Sequence, residues 1–189
     1  MSTRPKPAFT LVELLVALVV ASLLILATSQ VYSLFRRTMA QEQSQADLRQ
    51  NARVALDRLS RELRQTPQIV TALPSSPTDV SVPQPSAIEF QDGHTNDLAY
   101  YSYYLSGTTL NEDVVQYTFA SSPTTRVLST ATDTSGNPPQ RSVISTNIIA
   151  EGVSLMNLYE SADTISLSLT TTDGTQQYHV ETSVGLRNG

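Results

Sequence analysis

Glu13 is the residue of this chain with the most demanding chemistry. It stands alone: from Phe9 to Phe35 no other charged residue appears, and Arg36-Arg37 closes the stretch. A single carboxylate in such a run costs on the order of 3 kcal/mol in a bilayer unless something compensates it. It can accept a cation, or it can hold a proton or snorkel to the interface. Ahead of it lies a short leader, Met1–Ala8, carrying Arg4 and Lys6 and ending on the small residue Ala8. A secretory signal places its small-residue cleavage site after the apolar region. Here the small residue comes before it. Phe9 and Glu13 lie four residues apart, on the same face of a helix.

Other candidate chemistry is sparse. His94 and His179 are the only histidines, and there is no cysteine. A nucleophile needs a base and an orienting group placed with it, and no sequence context here assembles one. The chain therefore reads as a non-enzyme with no cofactor. The segment Asp92-Gly93-His94-Thr95-Asn96-Asp97 offers oxygen ligands, Asp92, Asn96 and Asp97, for calcium. Its spacing does not fit an EF-hand loop. Asp and Asn also favour turns for backbone reasons, so a turn with no metal is the preferred reading. Asp133-Thr134-Ser135-Gly136-Asn137-Pro138-Pro139 reads the same way, as a surface loop. Tyr100, Tyr101, Tyr103 and Tyr104 form a cluster in which alternation sets Tyr101 and Tyr103 against Tyr100 and Tyr104. At least one pair is expected in the core, with hydroxyls reaching the edge; adhesion through an exposed pair is the lesser reading.

These residues need elements to hold them. The run from Phe9 to Phe35 is 27 residues long, roughly 40 Å as a helix and enough to span a bilayer. No Gly or Pro occurs between Phe9 and Thr66, so one helix is expected from Phe9 to about Gln65. Pro67 disfavours helical geometry at Thr66 and ends it. Leu48, Ala52, Leu56, Leu59 and Leu63 recur at helical spacing as one apolar stripe, which should pack on a sheet. Asp57 and Arg61 are placed for an i,i+4 ion pair. Arg49, Arg53, Arg58, Arg61 and Arg64 spread over several faces with acids between them, a solvated surface more than a basic face.

Beyond the helix the composition changes. Pro67, Pro74, Pro77, Pro83 and Pro85 fall within residues 67–87 and predict an extended connector. Strands are expected at Ala87–Gln91, Leu98–Leu105, Val114–Phe119, Arg126–Ser129, Val153–Glu160, Ile165–Thr171 and Gln177–Gly185. Asp173-Gly174, between the last two, suits a type I′ turn. The fold class is α+β, a long N-terminal helix on an antiparallel sheet. The expected division is a leader at 1–8, a spanning helix at 9–35, an amphipathic helix at 36–66, the connector at 67–87 and a β head at 88–189.

Charge is uneven along the chain. Residues 36–66 balance to +3, whereas residues 67–189 carry three Arg against twelve acids, a balance of −9. A head this acidic lacks the basic footprint of a nucleic-acid binder. With no cysteine, no disulfide can staple it. Basic residues flank both ends of the apolar run, so charge alone does not orient it.

The segment Lys6-Pro7-Ala8-Phe9-Thr10-Leu11-Val12-Glu13-Leu14, followed by the long apolar run, resembles the start of type IV prepilins and pseudopilins. Ala8 stands where Gly is usual in that family. The resemblance implies cleavage between Ala8 and Phe9 by a prepilin peptidase, N-methylation of Phe9, and pairing of Glu13 with the Phe9 amine of a neighbouring subunit. It also implies a single-pass protein of the inner membrane with its C-terminal domain outside, drawn by an inner-membrane assembly platform into a filament with other pilins or pseudopilins. Major pilins often carry helix-loosening Gly or Pro in the apolar half, and this chain does not. Residues 50–64, the strand Ile88-Glu89-Phe90 with Asp92-Gly93, and the ending Thr182–Asn188 resemble minor pilins of the W type and minor pseudopilins of the J type. A minor pilus subunit, a type II secretion pseudopilin, and a DNA-uptake or adhesion pilin remain open. The acidic head argues against DNA.

Overall fold

The computed structural model describes residues 10–94 and 98–186. It is α+β: one helix, α1 (Leu11–Gln65), precedes eight strands, β1 (Ala87–Gln91), β2 (Tyr100–Ser106), β3 (Thr109–Phe119), β4 (Ser122–Arg126), β5 (Gln140–Glu151), β6 (Val153–Ser161), β7 (Thr164–Thr172) and β8 (Gln177–Gly185). The chain divides into two compact units between Ser44 and Gln45. In the first, the helix is exposed from Leu11 to Gln43. Its most apolar 18-residue window has a mean hydropathy of 2.7, long and apolar enough to cross a membrane. The hydroxyls of Ser22, Thr28, Ser33 and Thr38 each donate to a carbonyl three or four residues back. Such back-bonding satisfies a hydroxyl inside the helix itself, which suits a segment without water around it.

In the second unit, the helix from Gln45 buries Leu48, Ala52, Ala55, Leu56, Leu59, Ser60 and Leu63. Two antiparallel sheets receive this stripe. The first has the order β1-β2-β3-β4, with β5 pairing β3 on its other side, and the second is β6-β7-β8. Both contribute to one core: Ile88, Phe90, Tyr103 and Leu110 from the first join Met156, Leu158, Ile165, Leu167, Leu169 and Val184 from the second around Leu56, Leu59 and Leu63. In β7 burial alternates strictly, with Ile165, Leu167 and Leu169 inward. The sheets join at Gly152, whose φ is +75°. A Cβ there would lie 3.1 Å from the Thr172 carbonyl oxygen, so glycine meets both the backbone and the packing requirement. Gly93 has a different reason: a Cβ would collide with the carbonyl oxygen of Gln65 at the end of α1.

The segment between α1 and β1 closes two sheet edges. Ile69 bridges Phe90, Val70 N donates to Glu89 O at 2.8 Å, and Gln91 N donates to Gln68 O at 2.9 Å along the free side of β1. On the free side of β6, the Gln84 amide donates to Leu158 O and accepts from Leu158 N, both at 3.1 Å. Glu160 N donates to Pro74 O at 2.9 Å. Asp79 ties the middle of the connector, accepting from the backbone and side chains of both Ser75 and Ser81. Those four donors hold its carboxyl well below the usual range, the Ser81 hydroxyl most of all.

Several sequence expectations are corrected. No strand runs over Arg126–Ser129; the strand there is β4, ending at Arg126. Its second residue, Pro123, is tolerated because β4 lies at the sheet's edge. The twelve-residue β5 had no counterpart in the sequence reading. At Asp173-Gly174 only Gly174 has positive φ, +91°. Asp173 instead caps a longer loop, its Oδ1 accepting from Thr175 N and Gln176 N. The turn with two successive positive φ values falls at Ala162 (47°) and Asp163 (63°), between β6 and β7. The tyrosines do not divide by face into buried and exposed pairs. Tyr103 and Tyr100 are fully buried, one from each side, while Tyr101 and Tyr104 are half-buried. Tyr103 stacks on Phe90 in the core. Tyr100 packs edge-on against Tyr117 at 5.0 Å, and its hydroxyl accepts from Ser129 N at 2.9 Å. Both sheet faces are therefore covered near these residues.

Candidate functional site

The first described residues form the start of the site. Thr10 stands at the N-cap of α1 and Glu13 at the third helical position. Glu13 Oε2 accepts from Thr10 N at 3.0 Å and from Thr10 Oγ1 at 3.1 Å, while Glu13 N donates to Thr10 Oγ1 at 3.3 Å. This is a reciprocal capping box, in which two backbone donors at the helix start are satisfied. The carboxylate also sits at the positive end of the helix dipole. The Thr-x-x-Glu spacing carries this signal in the sequence. Ala8 and Phe9, the expected cleavage and methylation site, lie outside the described residues.

The rest of α1 anchors the head through polar contacts as well as its apolar stripe. Arg58 Nη2 lies 2.8 Å from Glu112 Oε1 on β3, and Glu112 is almost wholly buried. Asn147 Nδ2 donates to the same oxygen at 3.2 Å, and the Tyr103 hydroxyl donates to Glu112 Oε2. Burial and this carboxylate push the Tyr103 hydroxyl's pKa far up, so it stays a donor. The i,i+4 ion pair that forms is Arg58–Glu62 at 3.6 Å, not Asp57–Arg61. Glu62 Oε2 is buried with no hydrogen-bond partner. Burial, and then the nearby Glu112 charge, raise the Glu62 carboxyl above its ordinary value. Near the helix start of this unit, Thr171 Oγ1 donates to Leu48 O at 3.1 Å and the Asn51 amide donates to Glu151 O at 3.3 Å. A second ion pair, with a buried carboxylate and an exposed guanidinium, holds the opposite face of the first sheet: Arg141 Nε lies 2.8 Å from Glu89 Oε2, and the Tyr117 hydroxyl donates to Glu89 Oε1. None of these buried charges was singled out from sequence, where an isolated Glu in a strand looks like a solvent-facing residue.

Of the candidate calcium residues only Asp92 is among those described. Asp92 is buried and its Oδ1 accepts from His94 N at 2.8 Å; Asn96 and Asp97 lie outside the described residues. Among the described residues no group of three or more His, Asp or Glu side chains converges as a metal site. What the described geometry provides is a capped apolar helix and a head locked to that helix's continuation.

Comparison with known proteins agrees with this division. A family model described as the prokaryotic N-terminal methylation motif matches residues 4–29. No curated protein and no solved structure matches the chain. The matched motif, together with a helix able to cross a membrane and an α+β head, supports a type IV pilin-like protein, a pilin or a pseudopilin, anchored in a membrane. The motif implies processing by a prepilin peptidase and assembly with other pilins.

Proposed function

We propose that this chain is a minor structural subunit of a type IV pilus or related filament, processed between Ala8 and Phe9 and assembled through α1. The observation that carries the proposal is the methylation motif at residues 4–29 with Glu13 as its single carboxylate. In hydrocarbon an opposite charge at contact distance is the most effective compensation for Glu13. The amine left on Phe9 of a neighbouring subunit would supply it. Glu13 already accepts from Thr10 at the helix start, so its carboxylate is held where an incoming amine can reach it. The amphipathic segment 50–64, the Ile88-Glu89-Phe90 strand and the ending Thr182–Asn188 support a minor subunit of the W or J type.

The second reading, a minor pseudopilin of a type II secretion system, rests on the same residues. Deletion of the gene separates the two. Loss of surface filaments with secretion intact supports the pilus reading; loss of secreted proteins with filaments intact overturns it in favour of the pseudopilin.

A further inference from the structure

We propose that the turn between β6 and β7 of one copy of this chain docks through Asp163 into a cavity beside the start of β8 in a second copy running in the same direction. The cavity has a volume of about 300 Å³ and is lined by Gln45, Leu48 and Arg49 of α1 and by Gln176, Gln177 and Tyr178. Arg49 is the single charged residue among these six. Its guanidinium lies over the Tyr178 ring, 5.6 Å from the centroid. Stacking of this kind holds the guanidinium plane and leaves its edge donors open to a carboxylate. Gln45 and Gln177 are exposed beside it and add amide donors. The Gln176 amide oxygen is buried with no hydrogen-bond partner among the described residues. That amide can therefore turn toward an incoming N–H without losing a bond to its oxygen. Asp173, in the loop before β8, directs its Oδ1 to the loop's own Thr175 N and Gln176 N.

The occupant is presented at the other end of the same sheet. Thr171 pairs Tyr178 near the cavity, whereas Ser161 pairs Thr164 at the far end. The nine residues of β7 separate the two ends by roughly 30 Å. At the far end Ala162 and Asp163 form a two-residue turn with φ of 47° and 63°. Such values are unfavourable for alanine, and strained residues of this kind gather at recognition sites. The turn is short, and Asp163 is exposed at its tip with no ion pair among the described residues. One end of the sheet thus offers a carboxylate and the other a cation with open donors. Copies anchored in one membrane by α1 share a direction, so the surfaces that meet are unlike, and such a contact propagates from copy to copy. A displacement along the strands by about the sheet's length, roughly 30 Å, brings the turn of one copy to the cavity of the next. Phe9 and Glu13 are offset by only four residues, roughly 6 Å along a helix, so the amine contact of Glu13 involves a different neighbour. Acidic heads repel each other in general, and the Arg49–Asp163 contact fixes which ends meet. This contact rests on the reading of the chain as a filament subunit.

The test uses the full-length chain in its own membrane. It has no cysteine, so introduced thiols are the only ones. Ser161, beside the turn, and Gln177, beside the cavity, are both exposed. A chain carrying both Ser161→Cys and Gln177→Cys is expected to give a ladder of dimers and larger species under mild oxidation. Each single-thiol chain should stay monomeric, and the two produced together should stop at the dimer. Adding Asp163→Asn to the double-thiol chain keeps a residue that tolerates positive φ and removes the charge; the ladder should fall about tenfold. Arg49→Gln should do the same. Gln45→Cys, exposed on the helix side of the cavity, replaces Gln177→Cys if the latter disturbs folding. Monomer only from both thiol pairs, as much dimer from a single-thiol chain, or a ladder unchanged by Asp163→Asn each overturns the proposal. Filaments sheared from the same cells report on the filament reading separately: the chain present in them without a ladder overturns this contact and leaves that reading standing.

Discussion

Glu13 has two roles that draw on one carboxylate. In the isolated chain it closes the capping box with Thr10; in the proposed filament it meets a neighbour's amine. Two substitutions separate these. Glu13→Gln keeps an oxygen acceptor for Thr10 but loses the charge, while Glu13→Ala loses both. Both variants should enter the membrane as well as the wild type or better, because a charge is removed from the apolar run. Both should be depleted from sheared filaments relative to the membrane fraction. Incorporation of Glu13→Gln at the wild-type level would assign the residue to capping alone. Glu62 makes a different prediction. Its carboxyl is raised above the ordinary value of about 4.5 by burial and by Glu112, with Arg58 and His94 acting the other way and Tyr103 donating nearby. A raised carboxyl favours the protonated folded state, so its contribution is present below the ordinary value and lost as pH rises through the raised one. Glu62→Gln should melt higher than the wild type at neutral pH, and the gap should close on acidification. Thermal melts across pH 4 to 8 check this; a variant less stable at neutral pH would mean that the Arg58 pairing outweighs burial.

At the scale of elements, the helix stripe is the structural hinge of the head. Leu59 and Leu63 are fully buried between the two sheets. Leu59→Ala should destabilise by about 2–5 kcal/mol, measured by thermal or denaturant unfolding. Leu59→Asp should prevent folding, because an unpaired charge would enter the core; unchanged melting of the Asp variant would place the stripe against other subunits. The helix could be read from sequence because α1 contains no Gly or Pro and its apolar spacing is regular up to Pro67. β7 could be read because Ile165, Leu167 and Leu169 alternate with small polar residues. β5 could not. Its apolar residues come as the doublets Val143-Ile144 and Ile148-Ile149, and a bulge at each doublet resets the phase of alternation. Its exposure on both faces also removes the inward-outward contrast that marks a strand. The turn between β6 and β7 was hidden because Ala162 and Asp163 take the conformation that Asp-Gly advertises elsewhere. The capping box at Thr10 and Glu13 is legible in the Thr-x-x-Glu spacing. The buried Glu112 and Glu89 had no local signal, since their partners Arg58 and Arg141 lie 54 and 52 residues away.

The whole molecule consists of an apolar, capped helix and an acidic head that folds around that helix's continuation. A soluble piece from about Met39 onward should fold without metal or reductant. It should bind duplex DNA only weakly at physiological salt, because phosphate contacts need a basic surface and residues 67–189 balance to −9. Sub-micromolar binding in a fluorescence titration would promote the DNA-uptake reading over the others. The central claim, however, is that residues 1–8 are a leader removed by a prepilin-type peptidase. Intact-mass and N-terminal peptide mass spectrometry of the protein purified from its native membrane measures this directly. The expected result is a mature chain beginning at N-methylated Phe9, with Glu13 retained as its fifth residue. An intact Met1–Ala8 leader, or a cut after the apolar run, would contradict it.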